Sequence, residues 1–210
     1  MKLALNKIQY PVTTLGFGRR VGIWTQGCSI GCPGCISKDT WERRPDDYVE
    51  MNDVLAVCKR WPQADGFTIS GGEPFEQAEA LADLLKHFRK SFHGDLLVFS
   101  GYEFDELEMR FPEILEMTDV VVAGPYRANA GSNLTLRGSD NQTIHLLSDL
   151  ARERYPNGLN NERKRKSQPA LDLGITEDGI YMAGITKQGG MARFRKSLAK
   201  RGYRAITSDK

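Results

Sequence analysis

The sequence predicts an α/β fold, an open, partial (β/α) barrel of about five or six mostly parallel strands with a C-terminal α+β extension. Two observations carry this. Short apolar runs alternate along the chain with stretches whose apolar residues recur at helical spacing, the pattern of repeated strand–helix units. Every unusual loop then follows the carboxyl end of a predicted strand, where such sheets collect their chemistry.

Val21-Gly22-Ile23-Trp24 reads as the first strand of this series, and a cysteine-rich loop follows it. Val54, Leu55, Cys58 and Trp61 recur at helical spacing until Pro62 ends the run. Phe67-Thr68-Ile69 is a second strand, closed by Gly71-Gly72, and Leu81, Leu84, Leu85 and Phe88 mark one face of the next helix. Leu96 to Phe99 and Val120 to Val122 are continuous apolar runs of the kind buried on both faces of a sheet. Thr143 to Leu147 is a fifth strand. The loops after them are Ser70-Gly71-Gly72-Glu73-Pro74, Ser100-Gly101-Tyr102 and Gly124-Pro125-Tyr126.

Near residue 150 the character changes, so residues 1–150 are expected to form the partial-barrel domain and 151–210 an extension of a hairpin plus a helix. Ala151 to Gln168 is polar and basic, and its run Arg163-Lys164-Arg165-Lys166 reads as a solvated loop. Leu171 to Ile175 and Ile180 to Met182 form two strands around the turn Glu177-Asp178-Gly179. A last helix carries Met191, Phe194 and Leu198 on one face.

Composition bounds the function. The 210 residues suit one good-sized domain, and 40% hydrophobic with 27% charged residues is ordinary for a soluble globular chain. A net charge of +2 points neither to nucleic acid nor to an anionic membrane. No apolar run approaches the roughly 20 residues that span a bilayer. The segment Met1 to Tyr10 lacks the apolar core of a signal peptide, so a cytoplasmic location is expected.

The cysteines carry the sharpest signal. Cys28, Cys32 and Cys35 are spaced C-x3-C-x2-C within one glycine-rich loop. Three thiolates so close can wrap one corner of a [4Fe–4S] cluster and leave the fourth iron open to another ligand. The alternatives are a structural zinc site, which wants four protein ligands, and a disulfide. No histidine lies near the loop, and Cys58, the one remaining cysteine, sits on an apolar helical stripe that explains it as core.

These motifs resemble the radical S-adenosylmethionine superfamily, and within it the activases of glycyl radical enzymes, most closely those of anaerobic ribonucleotide reductase. Cys32-Pro33-Gly34-Cys35 is similar to the form found in those activases. Gly16-Phe17-Gly18-Arg19-Arg20 resembles their Gly-Pro-Gly-x-Arg, with Phe17 in place of the proline. Ser70 to Pro74 resembles their Gly-Gly-Glu motif, Ser100-Gly101-Tyr102 their Thr-Gly-Tyr, and Arg137 to Gln142 their Arg-Gly-Ser-x-Asn-Gln. The resemblance spans residues 14 to 145. It departs at Ala123-Gly124-Pro125, where the family carries Asp-Gly-Pro, so a polar contact near the cofactor is expected to be missing.

The resemblance implies a cluster on Cys28, Cys32 and Cys35 and S-adenosylmethionine chelating its open iron. It assigns no further catalytic side chain. Reductive cleavage of the sulfonium would yield a 5′-deoxyadenosyl radical. Ser70, Gly71, Gly72 and Glu73 are then expected to receive the cofactor's ammonium group. Ser100, Gly101 and Asn141 are expected at its ribose or carboxylate, and Arg137 is expected to pair with the carboxylate. The implied partners are a glycyl radical enzyme and a flavodoxin- or ferredoxin-like electron donor. The competing readings are a radical enzyme acting on a peptide, nucleotide or RNA, and a non-catalytic iron–sulfur carrier or sensor. Trp24, Trp41 and Tyr102 read as packing residues, His87 and His93 as solvated, and His145 as a hydrogen-bonded structural residue.

Overall fold

The computed structural model describes residues 1–155, 159, 171–176, 179–185 and 189–204. The basic run Arg163 to Lys166 and the turn residues Glu177 and Asp178 lie outside them. The described residues form a seven-stranded sheet and a separate two-stranded hairpin. In chain order the sheet strands are β1 (Lys2–Val12), β2 (Arg20–Thr25), β3 (Tyr48–Glu50), β4 (Gly66–Gly71), β5 (Asp95–Phe99), β6 (Val120–Ala123) and β7 (Thr143–Leu146). Their spatial order is β3-β1-β2-β4-β5-β6-β7, so the sheet is open at both edges.

β2, β4, β5 and β6 are parallel neighbours and coincide with the apolar runs read from the sequence. The helices α1 (Met51–Cys58), α2 (Ala78–Ser91), α3 (Phe104–Arg110) and α4 (Pro112–Glu116) return the chain between them. They cover one face of the sheet. Val21, Ile23, Phe67, Ile69, Leu96, Val98 and Val121 point into this helix-side core, where Phe67 stacks on Phe88 of α2 at 3.9 Å between ring centroids.

β7 runs antiparallel to β6, with Ile144 opposite Val122. The connection from Gly124 to Gln142 contains no helix, so the chain never returns to the amino end of the sheet and must re-enter from the carboxyl end. β1 and β3 add an antiparallel flank beyond β2. The sequence reading omits both strands. Register shifts between Leu5 and Lys7 and between Gln9 and Val12 break the two-residue alternation that would have revealed β1.

The opposite face is covered by irregular chain and by the C-terminal region. Leu97, Val120 and Val122 pack with Leu136, Ile144, Ala151, Tyr155 and Leu159. Val12, Leu15 and Trp24 pack with Ala183. Here α5 (Asp149–Arg154) runs across the boundary expected at residue 150. The hairpin of β8 (Asp172–Thr176) and β9 (Gly179–Ala183) is pinned by the Asp172 carboxylate, which accepts hydrogen bonds from the backbone and hydroxyl groups of Thr13 and Thr14 at 2.7–3.0 Å. In the last helix, α6 (Gly190–Ala199), Met191 is buried while Phe194 and Leu198 are only half-buried.

At the amino ends of the parallel strands lies a fully buried ion pair, with Arg20 Nη1 2.9 Å from Asp95 Oδ1. All five N–H donors of Arg20 find acceptors: Thr68 Oγ1 at 2.6 Å, Phe67 O at 2.6 Å, Asp95 O at 3.0 Å, Phe17 O at 3.1 Å and the Asp95 carboxylate. Asp95 also holds the Arg154 guanidinium at 2.6 Å and accepts from the Tyr155 hydroxyl at 3.2 Å. Burial pushes the Tyr155 phenol up to about 12. Removing one member of a buried pair leaves the other charge desolvated and unpaired. Asp95→Ala is therefore expected to destabilise the chain by about 3–5 kcal/mol, read as a lowered midpoint in urea. Removal of the exposed Arg44–Glu42 pair should leave that midpoint unchanged.

Candidate active site

The carboxyl ends of β2, β4, β5 and β6 surround a cavity of about 460 Å³, within the range of roughly 300–1,000 Å³ typical of small-molecule sites. Cys28, Cys32 and Cys35 line one wall, and Ser70, Gly71, Gly72, Glu73, Ser100 and Gly101 line the adjoining ones. The loops identified from the sequence thus face one space.

Three braces hold the cysteine loop there. Gln26 donates to Asp39 O at 2.8 Å and Glu42 O at 2.6 Å, tying the loop's start to the chain beyond it. Ser29 donates through its backbone N–H and its hydroxyl to Glu76, at 2.7 and 2.6 Å. The backbone N–H of Glu73 donates to Gly27 O at 2.8 Å, joining the cysteine loop to the Gly-Gly-Glu turn.

That last contact explains the glycine at 72. A Cβ there would stand 2.1 Å from Gly27 O, so the site requires glycine because the cysteine loop's own backbone passes against it.

Glu73 is almost fully buried and serves as a hub. Its carboxylate accepts from Gly101 N at 2.7 Å, Ser100 Oγ at 2.9 Å and Phe75 N at 3.1 Å, linking the loops after β4 and β5. Burial raises its pKa to about 7, against the opposing pull of those three donors.

The three thiols, all facing the cavity, are the donor type that iron–sulfur clusters take. Among the described residues no three His, Cys, Asp or Glu side chains converge closely enough to hold one metal ion. Backbone N–H groups stand ready to stabilise thiolates: Ser37 N lies 3.4 Å from Cys35 Sγ, those of Ile30 and Gly31 face Cys28, and that of Tyr126 faces Cys32. Cys58 is fully buried in the helix-side core, where burial pushes its thiol up to about 12. It is remote in chemistry as well as place from the other three.

The structure departs from expectation at Arg137 and Asn141, neither of which lines the cavity. The Arg137 guanidinium is buried and donates to the carbonyls of Thr135 at 3.3 Å, Gln142 at 3.2 Å and Leu159. It organises its own loop. Asn141 Nδ2 donates to Pro125 O at 2.9 Å. From the same segment Gly138 and Gln142 line the cavity instead, and Gln142 Nε2 holds Gly124 O at 2.8 Å. Ala123 packs into the helix-side core, so its replacement of an aspartate takes no side chain from the cavity wall. Trp24, read as packing, lines the cavity together with Lys7, Phe99 and Tyr126. The C-terminal region adds Leu171, Met182, Ile185 and Met191. Inward alternation on β2 and β5 marks Trp24 and Phe99, whereas Lys7 sits on a strand the sequence pattern concealed.

Residues 14–145 match the family model described as a 4Fe-4S single cluster domain. The anaerobic ribonucleoside-triphosphate reductase-activating protein of Enterobacteria phage T4 is 30% identical over 139 residues, covering 64% of this chain and 88% of that protein. The protein of the same name from Escherichia coli K12 is 30% identical over 153 residues, covering 66% of this chain and 96% of its own length. This chain belongs to their family. A pyruvate formate-lyase-activating enzyme of Clostridium pasteurianum is 32% identical over 112 residues, covering 51% of this chain and 45% of that enzyme. The family's members are radical S-adenosylmethionine enzymes, and the cofactors are a [4Fe–4S] cluster and S-adenosylmethionine. The C-terminal part of the cavity wall lies beyond the residues matched by the family model.

Two outcomes follow from this geometry. Alanine at Cys28, Cys32 or Cys35 should abolish cluster assembly, measured as iron per chain after anaerobic reconstitution, and Cys58→Ala should not. Gly72→Val should also lose iron, because the clash falls on the cysteine loop. The second concerns Glu73. Between its ordinary value of 4.5 and about 7 the carboxyl is protonated in the folded chain alone. Folding stability should therefore fall as pH rises through that window and level off above it. Urea midpoints recorded across pH should show this slope, and Glu73→Gln should flatten it.

Proposed function

We propose that this protein generates a glycyl radical on a partner enzyme, and that the partner is an anaerobic ribonucleotide reductase. The observation that supports this reading most is the convergence of three thiols, the Gly-Gly-Glu turn and Ser100-Gly101 on one cavity, in a chain whose relatives bear the name of that reductase's activating protein. When bound, a reduced [4Fe–4S] cluster and S-adenosylmethionine supply a 5′-deoxyadenosyl radical able to take a hydrogen atom from a glycine Cα.

In this reading the chain's own residues do four things. Cys28, Cys32 and Cys35 hold the cluster. The backbone of Ser70, Gly71 and Gly72 offers carbonyl groups to the cofactor's ammonium. Glu73 keeps that turn and the Ser100-Gly101 loop in one arrangement, a positioning role. Trp24, Phe99 and Met182 present apolar surface that excludes water from the reacting centre. The electron enters from a flavodoxin- or ferredoxin-like donor, and the reaction is assigned to the cytoplasm.

One observation favours a second reading. Leu171, Met182, Ile185 and Met191 close a side of the cavity with residues that the family model does not match. That wall suits a radical enzyme whose substrate is chosen by the extension. Anaerobic reconstitution followed by dithionite and S-adenosylmethionine should yield 5′-deoxyadenosine, and adding the reductase should produce a doublet EPR signal from a glycyl radical on that protein. Cofactor cleavage without the doublet would favour the second reading. Failure of cleavage in cluster-replete protein would remove both.

A further inference from the structure

Lys7 is the one cationic side chain among the described residues that line the cavity. Asp39, Glu73 and the three thiols share the cavity with it, so the lining is otherwise acidic or neutral. Its ammonium is held by two rings, 5.1 Å from the centroid of Trp24 and 5.5 Å from that of Tyr181. It forms no ion pair or hydrogen bond among the described residues, whose ion pairs lie elsewhere. Burial lowers its pKa, with the charge of Asp39 opposing that shift. A half-buried lysine in this condition gains from an anionic partner.

Its place in the sheet says what kind of partner. Lys7 stands in register with Trp24, and Trp24 with Ser70, so the three residues form one row across β1, β2 and β4. At about 4.8 Å between strands, the row spans roughly 10 Å from Lys7 to the residue that opens the Gly-Gly-Glu turn. The turn offers acceptors suited to an ammonium, and the row's other end offers a cation. The Lys7 ammonium lies over the Trp24 ring, along the row toward the turn, and this brings it nearer to the acceptors that a single zwitterionic amino-acid group would also meet. Arg137, expected in this role, is engaged with three carbonyls of its own surroundings.

We propose that Lys7 binds the carboxylate of S-adenosylmethionine in this cavity, with Trp24 and Tyr181 aiming its ammonium. The assignment rests on the radical enzyme reading above. It also makes the C-terminal hairpin, through Tyr181, part of the cofactor site.

The test compares two ligands on cluster-replete protein: S-adenosylmethionine and its decarboxylated analogue, by equilibrium dialysis under anaerobic conditions. Lys7→Met should weaken S-adenosylmethionine about tenfold or more, the usual scale of a lost charge-assisted contact. The same variant should bind the decarboxylated analogue as the wild type does. Lys7→Arg, which keeps the charge, should retain most of the affinity for S-adenosylmethionine. Equal affinity of wild type and Lys7→Met for S-adenosylmethionine would overturn the assignment. So would parallel weakening of both ligands, which marks a packing role. A cluster-replete wild type that binds no S-adenosylmethionine would overturn the underlying enzyme reading, and the role of Lys7 with it.

Discussion

A single guanidinium organises the floor of this molecule. Arg20 opens β2, yet its donors reach the backbone or side chains of β4 and β5 and the loop that precedes it. A charge so deeply buried is tolerated only where every donor is satisfied and a counter-charge is at hand. Asp95 meets that requirement, and so the amino ends of three parallel strands are drawn to one point. Strands levelled at one end are levelled at the other. Thr25 comes to lie beside Gly71, and the loops that follow them share a space. The functional end of the sheet thus depends on an interaction at its opposite end.

At that functional end the organising group is a carboxyl. Glu73 accepts three hydrogen bonds in a place where burial opposes its charge. The donors and the burial pull its ionisation in opposite directions, and the balance falls close to neutrality. Glu73, through its backbone N–H and its carboxyl together, is the hub by which the cysteine loop, the Gly-Gly-Glu turn and the Ser100-Gly101 loop are held as one unit. The cysteine loop joins it by backbone, through Gly27 O, and the β5 loop joins it by side chain. A motif that reads locally as a turn is, in three dimensions, the joint between two others.

The open face of the sheet needs covering, and the C-terminal region covers it. Trp24 and Phe99 project inward where a closed barrel would present further strands. Here Ala183 and Ile185 pack beside them, and Met182 and Met191 close the cavity. Asp172 fastens this hairpin to Thr13 and Thr14 through four hydrogen bonds, a polar clasp at the edge of an apolar contact. The extension is therefore a component of the site in this chain, though the matched family region ends at residue 145.

The sequence by itself determined what depends on near neighbours. Three cysteines in one short loop must lie together whatever the rest of the chain does, and β-branched apolar runs such as Val120 to Val122 favour buried strands. Those features needed no knowledge of tertiary contacts. The tertiary structure decided everything that turns on which distant group arrives beside a residue. Arg137 and Lys7 are both cations, yet three carbonyls reach the first while two rings, the cavity and the charge of Asp39 surround the second among the described residues. β7 runs antiparallel because the preceding connection holds no helix, and β1 hid behind its bulges. Gly72 is constrained by a backbone more than forty positions earlier. Local spacing cannot encode such meetings, because they are set by the path of the whole chain through the sheet.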